Sequence, residues 1–374
     1  ASPPQSYAPS SQYLRTPQLS HSFLYDHLLK YFDADKKHPT KLQLNRYLAS
    51  YFLYFHPTLP FLHPHTFDPS TVAPPLLFGV CSIGALLCRE KPMAVLLHNT
   101  SRTLISSILE VSKDYPQKAS SPLWTVQTLI TALIYQFWTG DLRGLEFVSS
   151  IRATITSFIK HALTEKLSRQ HHQSWSDFIE TELVIRAFFS IYILFGSLTM
   201  LYNYPLQIEE VPPNTPLPCS EVFWNSADSM FTHPFGIPQS PRFHQVLEAM
   251  SQSAEATTAR FGCLSPLALR ALGTTLFKRS WRLTNSSPVV DDAKRDELLA
   301  IIDTWETIAV DANPGQGQAL TQFWLSSPSL VLAMAVEDGE PTPIRSNSIS
   351  SNGQQMTLMQ RIRSQQHPLL FDAH

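Results

Sequence analysis

The sequence predicts an all-α fold, a large multi-helix bundle with proline-rich connecting loops, and three observations carry that expectation. Apolar residues recur at spacings of three and four along most of the chain, which gives each segment one buried helical face. Glycine is scarce: there are twelve in 374 residues, against a usual share of ~7%. Strand turns and phosphate-binding loops draw on glycine, so its scarcity favours helices. The 29 prolines cluster at 1–17, 57–75, 205–218 and 234–241, where they separate helices rather than interrupt them. With 43% hydrophobic residues, the chain can bury a large core as one sizeable domain or two.

Taken in order, residues 1–18 read as a disordered linker, polar and proline-rich, with neither an initiator methionine nor a signal peptide. This start suggests an interior piece of a longer chain. A first amphipathic helix is expected over 19–33, with Phe23, His27 and Leu28 on one face. A second, over 40–55, places Leu44, Tyr47, Leu48, Tyr51, Phe52 and Phe55 together. Pro57 removes a backbone donor and should push His56 out of the helical region, and Pro60 and Pro64 then stiffen an aromatic corner. Helices follow over 75–88 and 92–113, each with an early proline. Ser121 and Pro122 announce the next, to Trp138, as cap and first-turn proline. Gly140 and Gly144 flank a turn or a close contact, and a further helix reaches Leu167.

Ser174 with Asp177 three residues later imitates a capping box and opens a long helix to Tyr202. Residues 203–235 form a proline-rich loop, unable to pair into a ladder, that lies on the surface or wraps the bundle. Helices resume over 241–260, 265–284, 292–310 and 316–336. Residues 337–355 are a flexible linker, and 356–374 begin a truncated segment with a short helix over 356–364. Residues 19–336 thus make up one helical domain, and the pattern leans toward a single continuous bundle.

Composition excludes several function classes. Lys and Arg total 28 against 30 acids, and the only local basic run is Lys30, Lys36, Lys37 and Lys41, so this chain should not bind DNA unaided. The four cysteines, at 81, 88, 219 and 263, form no CxxC pair and indicate neither a zinc site nor a redox dithiol. Cys81 and Cys88 read as buried small hydrophobes, and the pattern suits a reducing compartment, nucleus or cytosol. The one stretch near membrane-span length, 183–201, contains Arg186 and reads as a buried central helix rather than a span.

No catalytic, ligand-binding or metal site is assigned. His56, His63 and His65 lie close in sequence, but His63-Pro64-His65 should turn its two rings to different sides, and no acid or thiolate lies nearby. Hydrogen bonds to backbone groups at the elbow are their expected role. His171 and His172 belong to a polar loop, no GxSxG elbow occurs, and Gly315-Gln316-Gly317 lacks both a preceding strand and a lysine. Arg186 falls in the most apolar helix, and Glu182, one turn earlier, is its nearest candidate partner. Two roles stay open for it: an internal strut, or an anchor for an acidic effector. Phe188, Phe189, Tyr192 and Phe195, with Trp124, Phe137 and Trp138, read as core.

Tyr51, Phe52, Phe55, His56, Pro57, Pro60, Leu62, His63, Thr66 and Phe67 resemble the opening motif of the fungal-specific transcription factor domain, the all-helical middle homology region of zinc-cluster and zinc-finger regulators. A second match is formed by Glu182, Arg186, Tyr192, Asn203 and Pro205, and Leu217, Pro218, Cys219 and Trp224 resemble its closing element. Together they span 42–227. One departure is Phe195, which stands where the family carries an acid, so any ion pair made by that acid is in doubt here.

The resemblance implies a regulatory domain, not an enzyme, of a nuclear RNA polymerase II transcription factor. No cofactor is implied for these residues, and zinc is expected in a missing DNA-binding module. The implied partners are DNA through that module and the transcription machinery or co-regulators. A homodimer and a small-molecule effector stay open, and no membrane is implied. The alternatives are a helical interaction scaffold without DNA binding, and an α-helical enzyme or small-molecule carrier.

Overall fold

The computed structural model describes residues 16–19, 22–32, 37–113, 122–139, 142–168, 174–202, 208, 210–225, 240–286 and 292–312. Among these residues the regular structure is helical throughout, as the composition predicts, and the only β pairing is one isolated bridge. Where the sequence leans toward one continuous bundle, contacts group the chain into two compact units. The first takes Ala1–Leu194 with Val211–Arg242, and the second takes Phe195–Glu210 with Phe243–His374.

The first unit holds α1 (Ser22–Leu29), α2 (Lys41–Ser50), α3 (Pro74–Leu87), α4 (Lys91–Lys113), α5 (Leu123–Thr139), α6 (Leu142–Ser168), most of α7 (Trp175–Tyr202) and the single turn α8 (Glu221–Trp224). At its middle lies α3, packed against α2, α4 and α5. Apolar on every side, α3 buries all its residues from Pro75 to Ala85, as a helix with neighbours all round must. The approach is close enough to require glycine: a Cβ on Gly84 would overlap the backbone carbonyl of Tyr47 in α2. The carbonyl is part of a helix and cannot rotate away, so this contact fixes how near α2 and α3 lie.

Helix α2 starts with a reciprocal cap not singled out in the sequence. Gln43 N donates to Thr40 Oγ1 (3.2 Å) and Thr40 N to Gln43 Oε1 (2.9 Å). At its other end the helix continues to Phe55 as expected, but Tyr51–Phe55 winds as one turn of π-helix. The His56 N–H reaches back five residues to the Tyr51 carbonyl (2.8 Å). His56 consequently keeps helical backbone angles, φ −51° and ψ −40°, contrary to the expectation that Pro57 expels it. The steric push of a following proline is outweighed here by that backbone bond and by the imidazole's own bond to Leu62. Pro57 still limits the helix, which closes with Thr58 N donating to Phe55 O (2.8 Å).

Other boundaries depart from the expectation for identifiable reasons. Helix α1 is shorter than 19–33 because Leu19 lies outside it and is pinned: its N–H donates to Asn45 Oδ1 (2.7 Å) and its carbonyl accepts from Asn45 Nδ2 (3.4 Å). Gly144 lies inside α6 rather than in a turn. Ser174 caps α7 as expected, accepting from Asp177 N (3.2 Å). Within the proline-rich loop, Pro216 bridges Arg242 and Leu217 N donates to Pro241 O (2.8 Å), so the loop does make one antiparallel contact, besides the α8 turn.

The second unit includes α9 (Phe243–Met250), α10 (Ala254–Phe261), α11 (Pro266–Ser286) and α12 (Asp292–Asp311). The single helix expected over 241–260 is two, because Ser253 takes extended angles and caps α10 by accepting from Ala256 N (3.0 Å). Helix α12 packs on α11, with buried Trp305 donating from Nε1 to Leu269 O (2.9 Å). The helices expected over 316–336 and 356–364 fall outside the described residues, as do His171, His172, Asn203, Pro205 and Gly315 to Gly317.

Candidate functional site

In the first unit several buried charged and aromatic side chains meet around Arg186. Helix α7 is long and apolar, and Arg186 lies in it with no solvent exposure. Glu182, one turn earlier and also buried, receives a bond from Arg186 Nε (2.7 Å), the i, i+4 pair that the sequence suggests. The segment before and through α8, here the strap (217–224), supplies the rest. Arg186 Nη2 donates to the Cys219 carbonyl (2.9 Å) and Nη1 to Glu221 Oε1 (3.2 Å). Trp224 lies under the guanidinium, whose carbon is 4.1 Å from the ring centre. Glu182 Oε1 also accepts from the Cys219 N–H (2.9 Å), so one oxygen fastens both the arginine and the strap.

The aromatic elbow closes the site from its other side. His63 donates from Nε2 to the Trp224 carbonyl (2.9 Å), and its ring meets the Trp224 ring edge-on at 4.7 Å. That bond fixes the tautomer: with the proton on Nε2, Nδ1 accepts from Thr66 Oγ1 (3.1 Å). His56 donates from Nε2 to Leu62 O (2.6 Å), and Gln127 of α5 donates to Phe61 O (3.3 Å). Both histidines thus serve backbone carbonyls as the sequence suggests, although His63 reaches one 161 residues away.

The electrostatics follow from burial. Burial alone would push the Arg186 guanidinium down, but the carboxylates of Glu221 and Glu182 outweigh it and hold the group firmly charged. His56 and His63 are pushed down to about 4, first by burial and further by the nearby Arg186 charge. Both are therefore neutral near pH 7 and act as fixed hydrogen-bond donors. Burial likewise raises the Cys219 thiol well above its ordinary value, so it is no thiolate. An arginine this deep is tolerated because its charge is matched; stranding it by removing a partner costs about 3–5 kcal/mol.

Other sequence candidates lie elsewhere. His65 is exposed, yet its ring is 5.6 Å from that of His63, so the two do not diverge as the Pro64 corner suggests. Among the described residues no group of three or more His, Cys, Asp or Glu is placed to hold a metal ion. Also among them, no helix is long and apolar enough to cross a membrane. Phe188, Phe189 and Tyr192 are buried with rings in contact, whereas Trp138 is 43% exposed and lies at the surface against Phe55. Cys81 is buried as expected, while Cys88 is half-buried beside Ser50 Oγ. Glu221 and the Cys219 carbonyl were not assigned to Arg186 in advance. Only the spacing of Glu182 signals a partner, because the other contacts form across 33 to 38 residues.

The fold and this centre define a class: an all-α domain in which a proline-limited aromatic elbow, an arginine-bearing central helix and a downstream strap converge. The chain belongs to the fungal specific transcription factor domain family, which matches residues 48–307 and so includes all three elements. It is 27% identical over 228 residues to the zinc finger protein klf1 of Schizosaccharomyces pombe, covering 56% of this chain and 28% of that protein. It is 29% identical over 122 residues to the probable transcription factor TDA9 of Saccharomyces cerevisiae, covering 33% of this chain and 10% of that one. Similarity also extends to a transcription factor of Gibberella fujikuroi, 24% identical with 51% and 26% covered. The chain thus spans between a tenth and just over a quarter of these relatives' length. No solved structure matches it. The family is one of transcription factors, not enzymes.

Proposed function

We propose that this chain is the regulatory region of a fungal RNA polymerase II transcription factor that acts in the nucleus and does not itself contact DNA. Its helices would control the activity of a separate zinc-dependent DNA-binding module and would meet co-regulators or the transcription machinery. The observation that carries this reading is the convergence of three distant segments, all inside the family match, on the buried Arg186 centre. A centre that joins the elbow, α7 and the strap gives the domain one place where a local change moves several elements. Residues 19–336 would act as the regulatory body, with 1–18 and 337–355 as linkers and 356–374 as the start of a further segment.

The test is to fuse residues 1–374 to an unrelated DNA-binding domain and read a reporter carrying that domain's site. Reporter output should change relative to the DNA-binding domain alone while occupancy of the site stays constant. The unfused chain should show no salt-dependent binding to duplex DNA. Unchanged output would overturn the regulatory reading and favour an interaction scaffold, and tight DNA binding by the unfused chain would overturn the division of labour.

A further inference from the structure

The three hydrogen bonds that Arg186 makes to oxygen are not equal, and a fourth contact runs from Nη2 to the Cys219 sulfur (3.8 Å). Glu182 is buried and its Oε1 is shared with Cys219 N, and the Cys219 carbonyl belongs to the backbone. Glu221 is different: its side chain is 35% exposed, its bond to Arg186 is the longest of the three at 3.2 Å, and it stands on a single helical turn. A carboxylate held in this way can move into water with its own charge solvated as it goes. Arg186 has no such freedom, and whatever replaces Glu221 must be an acceptor and preferably an anion. Trp224 adds an independent sign: its ring stacks on the guanidinium, yet its buried Nε1–H finds no acceptor among the described residues. A buried indole N–H is normally paired.

We infer that Arg186 is a carboxylate receptor whose resident occupant, Glu221, is exchangeable for a small organic acid. The incoming carboxylate takes the place of the Glu221 group on Nη1 and accepts from Trp224 Nε1 with its second oxygen. No preformed cavity is needed, because departure of Glu221 vacates the space. Release of Glu221 also loosens the α8 turn, whose amides bond to Ser220 and Glu221 carbonyls, so occupancy is transmitted to the strap. A free acid is favoured over an acidic protein segment because only one half-exposed side chain needs to move.

The inference rests on the regulatory reading for its biological meaning only; binding is measured on the purified 374-residue chain, so either can fail without the other. Acetate is the probe, titrated against chloride at constant ionic strength. In Glu221→Ala, acetate should raise Tm by about 2–4 °C as it saturates, with Glu221→Gln as the variant to use if the alanine form does not fold. Glu182→Ala, which opens no route from solvent, should gain nothing beyond the chloride control. In the wild-type chain, acetate should speed hydrogen exchange at the amides of Phe223, Trp224 and Asn225, and Trp224→Phe should weaken acetate binding several-fold. Equal gains in all variants, no gain in either Glu221 variant, or protection of the α8 amides would overturn the exchange. A poly-aspartate peptide that rescues where acetate does not would overturn the small-acid identity.

Discussion

Arg186 in the first unit and Lys278 in the second are cations of similar burial, 0% and 2% exposed, held by different means. Arg186 is surrounded by two carboxylates and a carbonyl, so its charge is favoured in the folded chain. Lys278 donates from Nζ to the Ile208 carbonyl (2.8 Å), and burial, with Arg282 acting in the same direction, pushes it well below its ordinary value. The difference is partly chemical. A guanidinium offers five donors in a fork that several acceptors can share, whereas an ammonium sheds its proton when buried. The first unit therefore stores a permanent charge and depends on its partners, while the second carries a charge that pH can remove.

The largest effect expected from this contrast is in Glu182→Ala, which strands Arg186 and should lower stability by about 3–5 kcal/mol. Adding Arg186→Met should recover much of that loss, read as Tm or denaturant midpoint. If the double variant is no more stable than the single one, charge matching is not what holds the site together.

Acid should come next. His56, His63 and His98, all in the first unit, have folded values of about 4 against 6.5. Their contribution is complete above pH 6.5 and is lost as pH falls toward 4, because the unfolded chain takes up protons first. The loss amounts to as much as about 3 kcal/mol per histidine. Denaturant titrations at stepped pH should show this slope, and replacing His98 by Asn should reduce it; a flat profile between pH 7 and 4.5 would refute the buried neutral assignment.

Lys278→Met should act more gently. Its folded value is depressed, so the unfolded chain binds more protons and wild-type stability should climb as pH rises toward 10.5. The variant should lose that climb. At neutral pH the loss of the Ile208 bond, about 1–3 kcal/mol, opposes the relief of desolvation, so the net change should stay within about 2 kcal/mol. The smallest effect belongs to Glu221→Gln, because glutamine keeps an acceptor for Arg186 Nη1 and the Glu221 side chain is 35% exposed. A loss as large as that of Glu182→Ala would erase the distinction between the two carboxylates.

Much of this fold was legible because local chemistry marks it. Proline in the first turn of α3 and serine before α7 set helix starts within a residue or two. Glu182 was legible as a partner because four residues along a helix is a distance sequence can measure. What was missed is either a competition or a long-range meeting. The break at Ser253 pits a cap against an otherwise helical pattern, and His56 stays helical because hydrogen bonds outweigh the proline. Trp224 under Arg186, and His63 on Trp224, depend on how the chain returns upon itself, which no spacing reports.

The π-helical turn at Tyr51–Phe55 carries a final consequence. It fits one more residue into a turn than an α-helix would, so the elbow leaves α2 at a heading that an uninterrupted helix could not give. Leu53 and Tyr54 are 48% and 70% exposed. They act as spacers, and their number matters more than their identity. Substituting either should be mild, whereas deleting one would let the turn close as an α-helix and shift the elbow that holds His63 on Trp224. For this surface pair, selection would act on length rather than on composition.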